Sequence, residues 1–207
     1  MEKSTFFILE IAAATVPVAL GYFAGIVYIG SYLSSFGISV YEIPLEIPLV
    51  ISNSYKVFSS TNFILLILAF LIVSAFIHTI KDDLEPVLVS LIKDSAFFSI
   101  GVIAVLIFIF IIVGSIATSS AHRDAGALWD GESASVTFRG PLSKDDFLMS
   151  KRLYLHFAKC FSLDQMRHVL TSRTHTYAFC PSTATSGILF AQELNSGRFT
   201  ALREVAR

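Results

Sequence analysis

The chain has 207 residues, of which 54% are hydrophobic and only 15% are charged, and its formal net charge is −1 at pH 7. An ordinary soluble domain carries about 25% charged residues, so the composition excludes a typical soluble domain, a disordered chain and a disulfide-dense secreted scaffold. The near-neutral charge also argues against a nucleic-acid-binding protein, which needs a basic face. An integral membrane protein with a modest extramembrane part fits all of these figures.

Three long stretches of the sequence contain no Asp, Glu, Lys or Arg. They lie between Glu10 and Glu42, between Lys56 and Lys81, and between Asp94 and Arg123. A transmembrane helix needs about 20 apolar residues, and each stretch holds a run of that kind. We therefore predict three membrane spans, at about residues 6–33, 63–80 and 96–118 of a transmembrane domain over 1–120.

The first span contains two glycines four residues apart, Gly21 and Gly25. This spacing of small residues lets a second helix approach closely. It is common in membrane helices, so general helix packing is one interpretation and a dedicated interface is the other.

A tandem Glu-Ile-Pro-Leu repeat follows the first span, with Glu42 and Pro44 in one copy and Glu46 and Pro48 in the next. The prolines disfavour a regular helix across the repeat, yet the segment is too apolar to lie free in water. We predict an interfacial loop over residues 34–56. It is either a re-entrant stretch buried against protein or an apolar cap on the lipid headgroups.

The second loop, residues 81–94, has apolar residues at helical spacing and predicts an amphipathic connector on the membrane surface. Three ionisable residues lie near the span ends on that side: Glu10, His78 and Lys81. Ionisable groups in a bilayer are costly and are therefore functional candidates. One hypothesis is an intramembrane polar contact among them. The alternative is that each side chain reaches the membrane surface separately.

Beyond the third span the composition becomes ordinary, with 11 Lys/Arg against 8 Asp/Glu from Arg123 onward. We predict an extramembrane C-terminal domain over residues 121–207, β-rich and of the α+β class. Its predicted strands lie at about residues 134–139, 151–160, 176–180, 187–192 and 198–205. The segment 163–171 is either a short helix opened by a capping box at Ser162 or a strand joined to 176–180 by a polar turn.

The two cysteines, Cys160 and Cys180, both fall in this domain. An even count in an exported domain is compatible with one disulfide, and two unpaired core thiols are the alternative. The common motifs of hydrolases, metalloproteases and phosphate-binding loops are absent from the sequence. We therefore predict no enzyme activity, no catalytic or metal-ligating residues and no cofactor.

Positive charges near the span ends predict the orientation. In a three-span topology Lys3, Lys81 and Lys93 share one side, against Lys56 and Arg123 on the other. This count favours a cytoplasmic N-terminus and a periplasmic C-terminal domain.

Two parts of the sequence resemble small bacterial inner-membrane proteins. The stretch from Tyr28 to Ile38, followed by Glu42-Ile-Pro-Leu45, is similar to a juxtamembrane motif in which a Tyr-rich span end leads into a Phe-Gly-Ile turn. The segments Thr176-Tyr-Ala-Phe179 and Gly187-Ile-Leu-Phe190 resemble the C-terminal β-hairpin of those proteins. The tandem repeat departs from their single acidic-Ile-Pro-Leu step. The resemblance implies a bacterial origin and this architecture, and it brings no activity with it.

Together these observations predict three transmembrane helices plus a small extramembrane β-rich domain. We expect a non-enzymatic inner-membrane sensor, anchor or assembly subunit that acts through protein–protein binding, in defence or envelope stress. Its expected partners are membrane lipid and either further copies of the chain or another protein subunit, without nucleic acid. The alternatives are an oligomeric channel or transporter component and an immunity-type protein against a membrane-active toxin.

Overall fold

The computed structural model describes residues 2–79, 95–132 and 150–207, with side chains described over 15–72, 101, 103–132 and 150–207. Several sequence-based predictions fall outside this part of the chain. They are the side-chain contact of Glu10, His78 and Lys81, the connector 81–94 and the strand 134–139.

The described residues form five α-helices, one short 3-10 helix and four β-strands. In chain order these are α1 (Glu2–Ser34), the 3-10 helix (Val40–Glu42), α2 (Ile47–Phe58), α3 (Thr61–Thr79), α4 (Ser95–Trp129), α5 (Lys151–Ser162), β1 (Arg167–Thr171), β2 (His175–Pro181), β3 (Ser186–Glu193) and β4 (Phe199–Ala206).

Two of the described helices are long and apolar enough to cross a membrane, over Thr15–Ser34 and Ile103–Trp129. A third candidate is a broken span, in which Ile47–Phe58 and Thr61–Ile72 meet at an angle of 67°. The break falls at two serines, and the Oγ of Ser60 accepts a hydrogen bond from the Phe63 amide at 3.3 Å, which caps α3. The prediction of a membrane protein is supported, with three spans if the bent pair is counted as one.

Helix α2 was not predicted, because two prolines lie in the repeat. The helix begins at Ile47, so Pro48 falls in its first turn. Amide groups in the first turn of a helix have no intrahelical acceptor, so a proline at this position costs no hydrogen bond. The first copy of the repeat, around Pro44, stays outside the α-helix, as its proline requires.

The strand predicted over residues 151–160 is wrong, because this segment is helix α5. Ser150 caps the helix by accepting a hydrogen bond from the Leu153 amide at 3.5 Å. The buried side chains, Phe157 and Cys160, together with half-buried Leu153, follow a helical spacing. Leu155 is 58% exposed, so the alternation that suggested a strand does not reflect burial.

The four described strands form one antiparallel sheet in the order β1-β2-β3-β4. The predicted strands at 176–180, 187–192 and 198–205 are confirmed as β2, β3 and β4. The ambiguous segment 163–171 contains β1, which pairs with β2 and so agrees with the strand alternative. Polar Thr and Ser residues between them make the tight turn that this pairing needs.

The chain divides into two compact units. We call residues 1–28 with 50–120 the helical unit, and residues 29–49 with 121–207 the sheet unit. The C-terminal domain predicted over 121–207 therefore gains a segment that lies far earlier in the sequence.

Both faces of the sheet are covered within the sheet unit. Ala178 and Cys180 of β2 pack with Phe190 of β3 and with Phe157 of α5. Phe179 lies between Ala178 and Cys180 in β2, so its side chain points to the opposite face of the sheet, where it is also fully buried. This two-sided burial explains why β2 and β3 read as almost continuous apolar runs.

Candidate functional site

An aromatic cluster holds the segment 29–49 against the sheet. The ring centroid of Phe179 lies 5.4 Å from that of Phe36 and 4.3 Å from that of Trp129, and Phe36 stacks on Trp129 at 6.3 Å. Phe36 and Phe179 have no exposed surface. Aromatic pairs of this kind stabilise by about 0.5–1.5 kcal/mol beyond the burial of area, so the cluster fixes the early segment in the sheet unit.

Both glutamates of the tandem repeat face arginines of the sheet unit. The Nη2 of Arg203 lies 2.7 Å from Oε2 of Glu42, and its Nη1 donates to the carbonyl oxygen of Gly37. The Nε of Arg173 lies 3.8 Å from Oε1 of Glu46. Exposed ion pairs contribute about 0–1 kcal/mol, and the longer, more exposed pair of Glu46 belongs at the low end of that range.

The first copy of the repeat also builds its own local structure. Glu42 closes a capping box with Ser39: the Oγ of Ser39 accepts a hydrogen bond from the Tyr41 amide, and the Oε1 of Glu42 accepts one from the Ser39 amide. Ile43 is buried, whereas Tyr41 is 95% exposed. Part of the predicted interfacial loop is thus covered by protein.

A third ion pair lies at the end of the last strand. Nη1 and Nη2 of Arg207 donate to the two carboxylate oxygens of Asp130, at 2.7 and 3.1 Å. This hydrogen bonding, with a smaller contribution from the charge of Arg207, lowers the pKa of Asp130 below its usual value. The pair therefore persists at neutral pH and is lost as the pH falls through the pKa of the folded Asp130.

In the helical unit, the two glycines of the first span lie beside helix α2. A Cβ on Gly25 would overlap the carbonyl oxygen of Val50 and lie 2.8 Å from its carbonyl carbon. A Cβ on Gly21 would meet Ser54 and Phe58 at an ordinary 3.9 Å. Of the two glycines, Gly25 is therefore the one at which a side chain would block the close approach of α2 to α1.

The two cysteines of the chain form a disulfide that joins α5 to β2. Cys160 and Cys180 are both buried in the core between the helix and the sheet. The Nε2 of His156 lies 3.4 Å from the Sγ of Cys180. Because a disulfide sulfur carries no proton, the ring nitrogen is the donor, so His156 holds its proton on Nε2 in this contact.

A cavity of about 480 Å³ opens between α5 and the end of the sheet where β2 connects to β3. Arg152, His156 and Lys159 line it from α5, where their spacing places them on one face of the helix. Other walls come from the turn between β2 and β3 and from β3 and β4. They are Leu153, Leu155, Ser182, Ser186, Gly187, Ile188 and Glu204.

The cavity carries a net positive charge. Among the described residues no carboxylate lies within ion-pair distance of Arg152 or Lys159, and Glu204 is the one acidic side chain in the lining. Burial and the nearby charge of Lys159 lower the pKa of His156, while Glu204 raises it to a lesser extent. His156 is therefore neutral at pH 7, and two permanent cations face one carboxylate.

Sequence analysis did not identify this cavity as a site. With 151–160 read as a strand, Arg152, His156 and Lys159 would be scattered over two faces. The capping residue Ser150 and the helical spacing of Leu153 and Phe157 are the signals that could have indicated the helix.

The described residues form an α+β fold with helices that could span a membrane, and the sheet unit contains a cation-lined cavity. Within the described residues, no group of three or more His, Cys, Asp or Glu side chains is arranged to hold a metal ion. Comparison of the chain with protein families, with curated proteins and with solved structures gave no match.

Proposed function

We propose that this chain is a non-enzymatic membrane-anchored sensor, in which the helices hold the protein in the bilayer and the sheet unit binds a ligand. The observation that carries the proposal is the cavity beside α5, with two cations that lack ion-pair partners among the described residues. Both side chains are exposed and line the cavity, so a ligand of opposite charge can contact them without displacing a protein carboxylate. The bound sensor acts on protein partners, either further copies of the chain or another subunit.

The surfaces of the described membrane helices favour an anchor over a channel. From Phe63 to Ile72 and from Ile103 to Ile112 every side chain is apolar. The outward-facing ones include Phe70 and Phe108, which are more than half exposed. Apolar faces of this kind suit contact with lipid tails, whereas a water-filled pore needs polar lining groups.

Site-specific photocrosslinking in cells tests whether the cavity binds a ligand. A benzophenone amino acid in place of Leu155, at the cavity wall and 58% exposed, is expected to form a defined adduct on irradiation. The matched control carries it in place of Leu194, which is 47% exposed and outside the cavity lining. Intact-mass measurement of the purified protein reads the mass of the adduct. An absence of adducts at Leu155, or the same adducts at both positions, would contradict the proposal.

We further propose that the membrane is the bacterial inner membrane and that the sheet unit faces the periplasm. The disulfide between Cys160 and Cys180 supports this orientation, because disulfides persist in oxidising compartments and are rare in the cytosol. The positive charges near the span ends point the same way.

The redox state of the cysteines provides the orientation test. Cells are quenched in acid, and the denatured, unreduced protein is treated with a maleimide. We expect no labelling without reductant and two labels per chain after reduction. Two labels without reductant would place the sheet unit in the cytosol. A variant with both Cys160 and Cys180 replaced by serine gives the background.

A further inference from the structure

We propose that the cavity beside α5 is a binding site for a phosphate ester that carries an apolar group. The inference rests on the proposed function, since it assigns a chemical class to the ligand of the same cavity. It begins from the three cavity-facing polar residues of α5 and from the opposite wall.

The cations of the cavity suit phosphate recognition. Arg152 has a planar guanidinium that can donate two parallel hydrogen bonds to phosphate oxygens, and Lys159 adds a compact positive charge. Glu204 on β4 is the acidic group of the lining, and it leaves the cavity with an excess of positive charge. His156 is neutral at pH 7, and its Nε2 proton is directed at the disulfide.

The opposite wall supplies hydroxyl donors. Ser182 lies in the turn between β2 and β3, Ser186 begins β3, and both line the cavity. Their hydroxyls lie 3.0 Å apart, and Thr183 adds a third hydroxyl 2.7 Å from that of Ser186. The Ser182 hydroxyl also donates to the carbonyl oxygen of Ser186 at 3.1 Å. Because hydroxyl groups rotate, this cluster can redirect a hydrogen bond to one phosphate oxygen while a cation binds another.

The size and the remaining walls indicate that the phosphate is esterified. A volume of about 480 Å³ falls in the range of about 300–1,000 Å³ that is typical of small-molecule sites, and it exceeds what a single phosphate fills. Leu153, Leu155 and Ile188 give the cavity an apolar portion. A ligand with a phosphate and an apolar group matches both parts. A phospholipid headgroup with its glycerol and upper chains, or a soluble organic phosphate, could supply this chemistry.

Binding to the full-length protein in a zwitterionic lipid nanodisc at pH 7.5 tests the inference. One arm titrates phenyl phosphate by calorimetry, with inorganic phosphate as the probe that lacks an apolar group. The second arm replaces part of the nanodisc lipid with phosphatidic acid and counts retained lipid by native mass spectrometry. We expect binding in at least one arm, and phenyl phosphate to bind more tightly than inorganic phosphate if the source is soluble.

The deciding comparison uses charge-matched double variants. R152Q/K159Q removes both cavity cations, and we expect at least a tenfold loss of affinity or of retained phosphatidic acid. K151Q/R198Q removes two exposed charges outside the cavity lining, and we expect less than a twofold change. All four positions are exposed, so circular dichroism should show that each variant folds.

Three outcomes would overturn the inference: no binding in either arm, unchanged binding by R152Q/K159Q, or an equal loss in K151Q/R198Q. A Leu155 photoadduct combined with no phosphate binding would reject the phosphate ester while leaving the proposed function intact. Phosphate binding that depends on Arg152 and Lys159 would support the inference even if no protein partner is found.

Discussion

Replacing Phe36 by alanine is expected to lower the free energy of unfolding of the sheet unit by about 3–5 kcal/mol, the range seen when large buried aromatic residues are truncated. Phe36 is fully buried and contacts the rings of both Trp129 and Phe179. The truncation removes the apolar contact area and leaves a cavity between the early segment and the sheet. Neither neighbouring ring can fill it without losing its own packing.

The chain supplies its own probe for this experiment. Trp129 is the single tryptophan, and its ring stacks on Phe36, so its fluorescence reports unfolding of the sheet unit in detergent. The matched control is Tyr41→Ala in the same segment, whose side chain is 95% exposed. We expect the control to change stability by less than about 0.5 kcal/mol. Equal effects of the two substitutions would mean that the aromatic cluster does not hold the segment in place.

Replacing Gly25 by alanine should separate α1 from α2 in the helical unit. The added methyl group would overlap the carbonyl group of Val50, which is backbone and cannot rotate away. Overpacking of a well-packed contact costs about 1–3 kcal/mol and occasionally more. We expect the upper end of that range, about 3 kcal/mol, because the obstacle is backbone.

Gly30→Ala is the matched control for this substitution, on the same helix. A Cβ at Gly30 meets nothing within 4 Å, and alanine is the better helix former by about 0.5–1 kcal/mol. Thermal unfolding in detergent is therefore expected to shift down for Gly25→Ala and to stay level or rise for Gly30→Ala. A downward shift of the same size in both variants would contradict the tight contact at Val50. Gly21→Ala, with its neighbours at 3.9 Å, should fall between them.

Elements whose apolar residues form one continuous run in the sequence could be predicted from the sequence. The charge-free stretches predict the membrane helices because a bilayer excludes charge over its whole thickness. Strands β2 to β4 are recognisable because their apolar runs are short and bounded by Gly, Ser and Pro. The turn between β1 and β2 was one of two alternatives, and local sequence could not choose between them.

Other features depend on distant parts of the chain and were not predictable in this way. Helix α5 carries Leu153, Leu155 and Phe157, whose alternation mimics a strand although Leu155 is 58% exposed and does not belong to the buried core. The residues that line the cavity do not form a motif in the sequence, because they come from separate elements, such as Arg152 from α5 and Ser186 from β3, that only the fold brings together. The arginine partners of Glu42 and Glu46 likewise lie more than a hundred residues away in the sequence.

The sheet unit is assembled from two segments that the ribosome produces at different times. Residues 29–49 are synthesised before the helices over 50–120, and the strands that cover Phe36 come last. Until then, Phe36 can contact Trp129 of α4 but lacks the covering ring of Phe179. Synthesis of β2 is therefore the step that completes the aromatic cluster around Phe36. Folding of the sheet unit is therefore not complete until the strands have been synthesised, well after residues 29–49.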